Sequence, residues 1–184
     1  MDRGSALYRQ YLAGDEAGMY GLIREYRDGL AMFLMGFVHD ASIAEQLAED
    51  TFVRLAVKKP HDSGRGSFKT WLYTIGRNIA LDHLRRTRRE RTVPLEAAAL
   101  SVEERSLEDA CLLDEKRRTV RRAMERLSCD HRQILFLVYF EELSLKDAAK
   151  VMRRSTHAAE ALAARARQAL KKELEREGIE YENL

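Results

Sequence analysis

An all-α fold is predicted by three observations. Charged residues make up 34% of the chain against 8% aromatic and only two prolines; apolar side chains recur at helical spacing; and no segment alternates over several strand lengths. A hydrophobic share of 45% allows real cores, and 184 residues suit one domain or two small ones. The expected organisation is two small helical domains, residues 1–91 and 113–177, joined by an acidic linker at 92–112 and followed by a tail at 178–184.

Ser5 to Ala13 reads as a short helix broken by Gly14. Helix restarts at Asp15 and runs to about His39, with Met19, Leu22, Ile23, Tyr26, Leu30, Phe33, Leu34 and Phe37 near helical spacing. Gly18, Gly21, Gly29 and Gly36 weaken this segment locally and mark either close helix packing or a bend. From Ala41 to Lys59, Ala44, Leu47, Ala48, Thr51, Phe52 and Leu55 form one apolar stripe, and Pro60 stops the helix. Glu45, Glu49 and Asp50 lie off the stripe near its front, and Arg54, Lys58 and Lys59 toward its end, as the helix dipole favours.

A loop, His61 to Ser67, carries two glycines that let its backbone approach a ligand closely. It is not followed by the G-x-x-x-x-G-K-[ST] pattern of a nucleotide-hydrolysing loop. The next helix, from Phe68 to Arg91, is the most informative segment. Phe68, Trp71, Leu72 and Ile75 give it an aromatic and aliphatic face, while Lys69, Arg77, Arg85, Arg86, Arg88, Arg89 and Arg91 oppose only Asp82 and Glu90. In a chain of net charge +2 this positive charge is concentrated, the footprint expected of a helix that packs on a core and holds a nucleic-acid backbone.

Composition then turns acidic, with Glu96, Glu103, Glu104, Glu108, Asp109, Asp114 and Glu115 against Arg105. Extended, this linker would reach roughly 70 Å at about 3.3 Å per residue; Ala97 to Leu100 also suit a helix. Helices are predicted near Asp114–Arg126, Asp130–Phe140, Leu145–Met152 and Thr156–Glu177. Ser144 is an N-cap with Asp147 three residues on, and Ser155 caps the next helix after the short Arg153-Arg154 break. So short a turn between two helices suggests a helix-turn-helix whose second helix enters a major groove. In that helix Ala159, Leu162, Ala163, Ala166 and Leu170 make the packed face, and His157, Glu160, Ala161, Ala164, Arg165 and Gln168 lie on or beside the opposite one.

Cys111 and Cys129 stand eighteen positions apart without a C-x-x-C, so they support neither a disulfide framework nor a zinc site, and no metal or cofactor is expected. No apolar run approaches the eighteen or so residues needed to cross a bilayer, and the first residues lack a basic-then-apolar leader; the cytoplasm is the expected location, without membrane insertion.

The helix from Phe68 resembles the second conserved region of group IV, extracytoplasmic-function (ECF) sigma factors of the sigma-70 family, whose pattern is roughly F-x-x-W-L-x-x-I-x-x-N-x-x-x-D-x-x-R. Phe68, Trp71, Leu72, Ile75, Asn78, Asp82 and Arg85 keep it. Leu127 to Leu170 resembles the family's fourth region through Leu127, Arg132, Leu135, Leu137, Tyr139, Phe140, Leu143, Ser144, Ala148, Ala149, Val151, Arg165, Ala166 and Leu170. The resemblance implies a region 2 helical bundle and a region 4 helix-turn-helix in a non-enzymatic factor. Such a factor brings core RNA polymerase to promoter DNA, reads its minus-10 and minus-35 elements and helps open it. An anti-sigma factor is a further implied partner.

The same resemblance assigns roles. Ala44 to Phe52 matches the segment that docks on the clamp helices of the largest polymerase subunit, so Glu45, Gln46, Glu49 and Asp50 should face polymerase while Leu47 and Phe52 turn inward. Asn78, with the loop containing His61 and Arg65, should capture a flipped minus-10 base; Trp71 belongs to the core or to the strand contact, and Arg77 joins this surface. Arg85, Arg86, Arg88 and Arg89 should meet phosphates. Arg153, Arg154, Ser155, Thr156, His157, Glu160, Ala161 and Arg165 fall to the minus-35 element. Here the family's T-V-[KR]-S-R is replaced by Ala158 to Leu162, leaving Glu160 to accept from a cytosine amino group and Ala161 to touch a thymine methyl. Two rival readings are a polymerase-independent helix-turn-helix regulator and a degenerate interaction protein that occupies polymerase or an anti-sigma factor without reading DNA.

Overall fold

A computed structural model describes residues 2–60, 66–90 and 113–178, and every described element is helical. The first domain contains α1 (Arg3–Leu12), α2 (Ala17–Val38), α3 (Ala41–Lys58) and α4 (Phe68–Glu90). The second contains α5 (Leu113–Glu125), α6 (Cys129–Leu135) running into a π-helical turn (Phe136–Phe140), then α7 (Leu145–Met152) and α8 (Thr156–Arg176). The linker at 92–112, most of the tail, and His61 to Arg65 lie outside the described residues.

Local chemistry sets most boundaries. Asp2 caps α1 by accepting from the Ser5 N–H, so that helix starts earlier than its apolar spacing suggests. α3 begins at Asp40, which accepts from Ile43 N–H, and ends at Lys59 in the left-handed conformation, one residue before Pro60. Ser144 and Ser155 accept from the N–H groups of Asp147 and Ala158, as their spacing requires. Ser128 caps α6 in the same way.

α2 is the spine of the first domain. Leu22, Leu30 and Leu34 are wholly buried, and α1, α3 and α4 pack around it with Leu55, Phe68 and Leu72. The glycines of α2 mark close approach. A Cβ on Gly18 would stand 2.3 Å from the Leu7 carbonyl oxygen of α1, and one on Gly29 would stand 2.6 Å from the Glu141 carboxylate of the second domain. In the second domain α8 is central, burying Ala159, Leu162, Ala163, Ala166 and Leu170 against α5, α6 and α7.

The predicted helix from Asp130 to Phe140 is corrected by the π turn, which widens the backbone over Phe136–Phe140 and leaves Tyr139 and Phe140 about half exposed. The two domains are also packed together. α2 and α4 meet α6 and α7, with the Phe33 and Phe136 ring centroids 6.0 Å apart across the boundary.

Candidate nucleic-acid interface

α4 spans two environments. Its front is rooted in the core, where Phe68, Leu72, Tyr73 and Ala80 are fully buried. Its last turns leave that core, so Arg85, Arg86, Arg88 and Arg89 stand exposed. Arg85 is steadied by Asp82 at 3.2 Å, an i,i+3 pair. The helix start is fixed from a distance: Asp2, already capping α1, uses its second oxygen to accept from the Phe68 N–H at 2.7 Å. Ser67 Oγ accepts from the Thr70 N–H at 3.1 Å. Burial alone would raise the Asp2 pKa, but the N–H donors of Ser5 and Phe68 outweigh it and hold it below the ordinary 3.8.

Trp71 is half-buried, its ring 5.3 Å from Tyr8 and 5.5 Å from Phe68, so it is wedged into the core while keeping an open edge. Asn78 is likewise half-buried. Arg77 sits differently from its expected place on an open DNA face: its Nε donates to Gln133 Oε1 of the second domain at 3.3 Å. Burial, chiefly, pulls its pKa below the ordinary arginine value, with Asp130 opposing and Arg153 reinforcing that shift. His61 and Arg65 lie outside the described residues.

On α3, Glu45, Gln46, Glu49 and Asp50 are all exposed, while Leu47 and Phe52 are buried. Sequence reading missed two features of this edge. Arg27 of α2 reaches within 3.9 Å of both Glu45 and Glu49 and tempers their charge. Val53 and Val57 continue the outer face beyond Asp50 and are 57% and 75% exposed, an apolar extension of an otherwise acidic ridge.

In the helix-turn-helix, Arg153 supplies the left-handed turn residue at φ 53° between α7 and α8. Arg154 pairs with Asp130. Ser155 is engaged as the N-cap, and Thr156, His157, Glu160 and Arg165 are exposed, with Ala161 half-buried beside them. The outer face of α8 is therefore open along its first turns. Cys129, which opens a Cys-Asp-His sequence, donates its thiol to the Gly36 carbonyl at 3.5 Å and accepts from Gln133 Nε2 at 2.8 Å. Burial foremost pushes the thiol pKa up.

A core-rooted helix with an exposed arginine end, in one domain, and an open helix-turn-helix in the other define a DNA-binding protein of two reading heads. Comparison with known proteins narrows the class. Residues 22–90 match Sigma-70 region 2 and residues 117–170 match Sigma-70, region 4. The RNA polymerase sigma-H factor of Pseudomonas aeruginosa is 31% identical over 183 residues, covering 95% of each chain. The ECF RNA polymerase sigma factor SigM of Bacillus subtilis is 27% identical over 146 residues, covering 79% of this chain and 88% of its own. Among solved structures, the sigma factor RpoE in complex with the anti-sigma factor NepR, from Bartonella quintana, shares the fold at a TM-score of 0.63 and 24% identity, over 83% of this chain and 94% of that one. The chain belongs to the sigma-70 family, in its ECF group, and is a sigma factor that directs RNA polymerase to promoters.

Proposed function

We propose that this sigma factor docks core RNA polymerase through the exposed edge of α3, Glu45, Gln46, Glu49 and Asp50, against the clamp helices of the largest subunit. Asn78 and Trp71 then hold a separated minus-10 strand while Arg85, Arg86, Arg88 and Arg89 neutralise its phosphates. α8 lies in the minus-35 major groove, with Arg153, Arg154, Ser155 and Thr156 on the backbone and His157, Glu160, Ala161 and Arg165 toward the bases. The chain itself forms and breaks no covalent bond; polymerase does the chemistry, and the cytoplasm, where polymerase works, is its location. No helix among the described residues is long and apolar enough to cross a membrane.

The observation that carries this reading is the division of α4, buried to Ala80 and exposed from Arg85 on, because a melted strand needs rigid support and solvent-facing charge from one element. Extruding a base costs a few kcal/mol, which stacking and hydrogen bonds at such a support offset. An anti-sigma partner is supported by the RpoE complex with NepR, whose sigma chain shares this fold.

The test is transcription reconstituted from purified core polymerase and this chain. Wild type should start from a defined site, and Asn78→Ala should bind core polymerase normally while losing promoter opening. A wild-type rate from Asn78→Ala would remove that residue from base capture. Failure of the wild-type chain to associate with core polymerase would favour the polymerase-independent regulator.

A further inference from the structure

α1 lies ahead of the segment that matches Sigma-70 region 2, which begins at residue 22, yet its contacts converge on the front of α4. Tyr8 is 2% exposed, and its ring centroid stands 5.7 Å from that of Phe68 and 5.3 Å from that of Trp71. A phenylalanine would fill the same space. The hydroxyl does something a phenylalanine cannot: it donates to the Pro60 carbonyl oxygen at 2.9 Å, across 52 residues of sequence. A buried hydroxyl needs a partner, and the one selected here is backbone just past α3, next to His61.

Tyr11 repeats the arrangement a turn later. Its hydroxyl donates to the Ala56 carbonyl at 3.2 Å, and its ring centroid lies 5.4 Å from the Lys59 ammonium. At the other end of α1, Asp2 accepts from the Phe68 N–H. Pro60 and Phe68, the residues on either side of the His61–Ser67 segment, are thus both tied to one ten-residue helix. Gly4 lets that helix come close: a Cβ there would stand 2.5 Å from Phe68 Cδ1. Trp71 and Asn78 are seven residues apart, two turns along one face of α4. Tyr8 backs the indole on that face. Lys69, on the opposite side of the helix, is held instead by Glu141 of the second domain at 2.8 Å.

From this geometry we infer that Tyr8 is a positioning residue for minus-10 recognition. It acts through Trp71 and Pro60, setting the indole and the neighbouring backbone in the register that a flipped base requires. The inference rests on the assignment of Trp71 and Asn78 to the minus-10 strand. Recognition constellations work within about 0.5 Å of their productive geometry, so a backbone released at Pro60 is felt at the base. Tyr8 has almost no surface of its own to offer DNA, and its loss alters which base is preferred while leaving the phosphate contacts in place.

The experiment uses the full-length chain with core polymerase, a defined promoter and a panel of single-base minus-10 variants. Tyr8→Phe keeps the ring and removes the hydroxyl. Its binding to core polymerase and the salt dependence of its duplex binding should match wild type. Discrimination, read as the ratio of opening rates on the promoter and on each variant, should fall about fivefold, the worth of one hydrogen bond. Tyr8→Leu, which also removes the ring, should in addition shift the emission of Trp71, the chain's single tryptophan, and weaken its quenching by a single-stranded minus-10 oligonucleotide. Wild-type discrimination by Tyr8→Phe overturns the positioning role. Equal loss of opening on every template, the mark of a merely destabilised fold, overturns it too. Asn78→Ala separates this failure from that of the underlying reading. If Asn78→Ala loses opening while Tyr8→Phe is normal, the role of Tyr8 alone falls; if both behave as wild type, the strand assignment falls with it.

Discussion

Asp2 shows how much a single side chain can carry here. One carboxylate accepts from the first turn of α1 and from the first N–H of α4, so its removal orphans donors on two helices at once. Asp2→Ala should lower stability by about 1–2 kcal/mol, read as a lower Tm, whereas Asp2→Asn should lose less because its amide oxygen still accepts. The pH dependence follows from the depressed pKa. The stabilisation is full at neutral pH, begins to fall as pH drops below the ordinary carboxylate value of 3.8, and is gone once the folded-state value is passed. An acid-melting curve that is identical for wild type and Asp2→Ala would refute this. Other residues were legible in sequence. Ser144 and Ser155 announce their caps through spacing alone, because an N-cap is an interaction over three residues. Glu141 was not, since nothing local distinguishes a solvated turn glutamate from one inserted in a neighbouring domain.

At the scale of the element, α4 separates the residues that root the helix in the core from an exposed arginine end. Its arginine end is exposed, so Arg85, Arg86, Arg88 and Arg89 changed together to Ala should lower the melting temperature far less than truncating the buried Leu72 would. The slope of log affinity against log salt should flatten by about 3 to 4, at roughly 0.7–0.9 for each phosphate no longer neutralised. An unaltered slope would mean that these side chains do not meet phosphates. The helix was readable because its pattern is periodic and its charge asymmetric. The π turn was not: Phe136-Leu137-Val138-Tyr139-Phe140 is an apolar run that fits an α-helix equally well, and nothing in its local pattern marks the wider backbone. The glycines of α2 are a similar case. In sequence they weaken a helix; in the fold Gly18 admits the backbone of α1, and Gly29 admits a side chain from more than a hundred residues away.

For the whole molecule, the two-domain division was visible in the acidic stretch between the basic halves, but the packing of one half on the other was not. Long-range packing leaves no periodic signature, and Arg77 looked like an open DNA ligand because its partner Gln133 is 56 residues distant. The junction has a second reporter in His39, which lies 3.1 Å from Arg132 through Nδ1. Burial, then the charge of Arg132, lowers the His39 pKa below 6.5, with Glu125 opposing. The packed state therefore favours neutral His39, and proton uptake below the ordinary histidine value favours separated domains. In a Glu141→Lys chain the His39 titration followed by NMR should move up toward 6.5; a midpoint that stays depressed would show the domains still joined around Arg132.

The double use of Asp2 also dictates an order of events in folding. The carboxylate can serve the first turn of α1 as soon as that turn forms, yet the other of its two acceptor tasks waits for an amide 66 residues downstream. The cap at the start of α4 is therefore closed only once α1 and α4 have met, which ties that helix end to the assembly of the first domain.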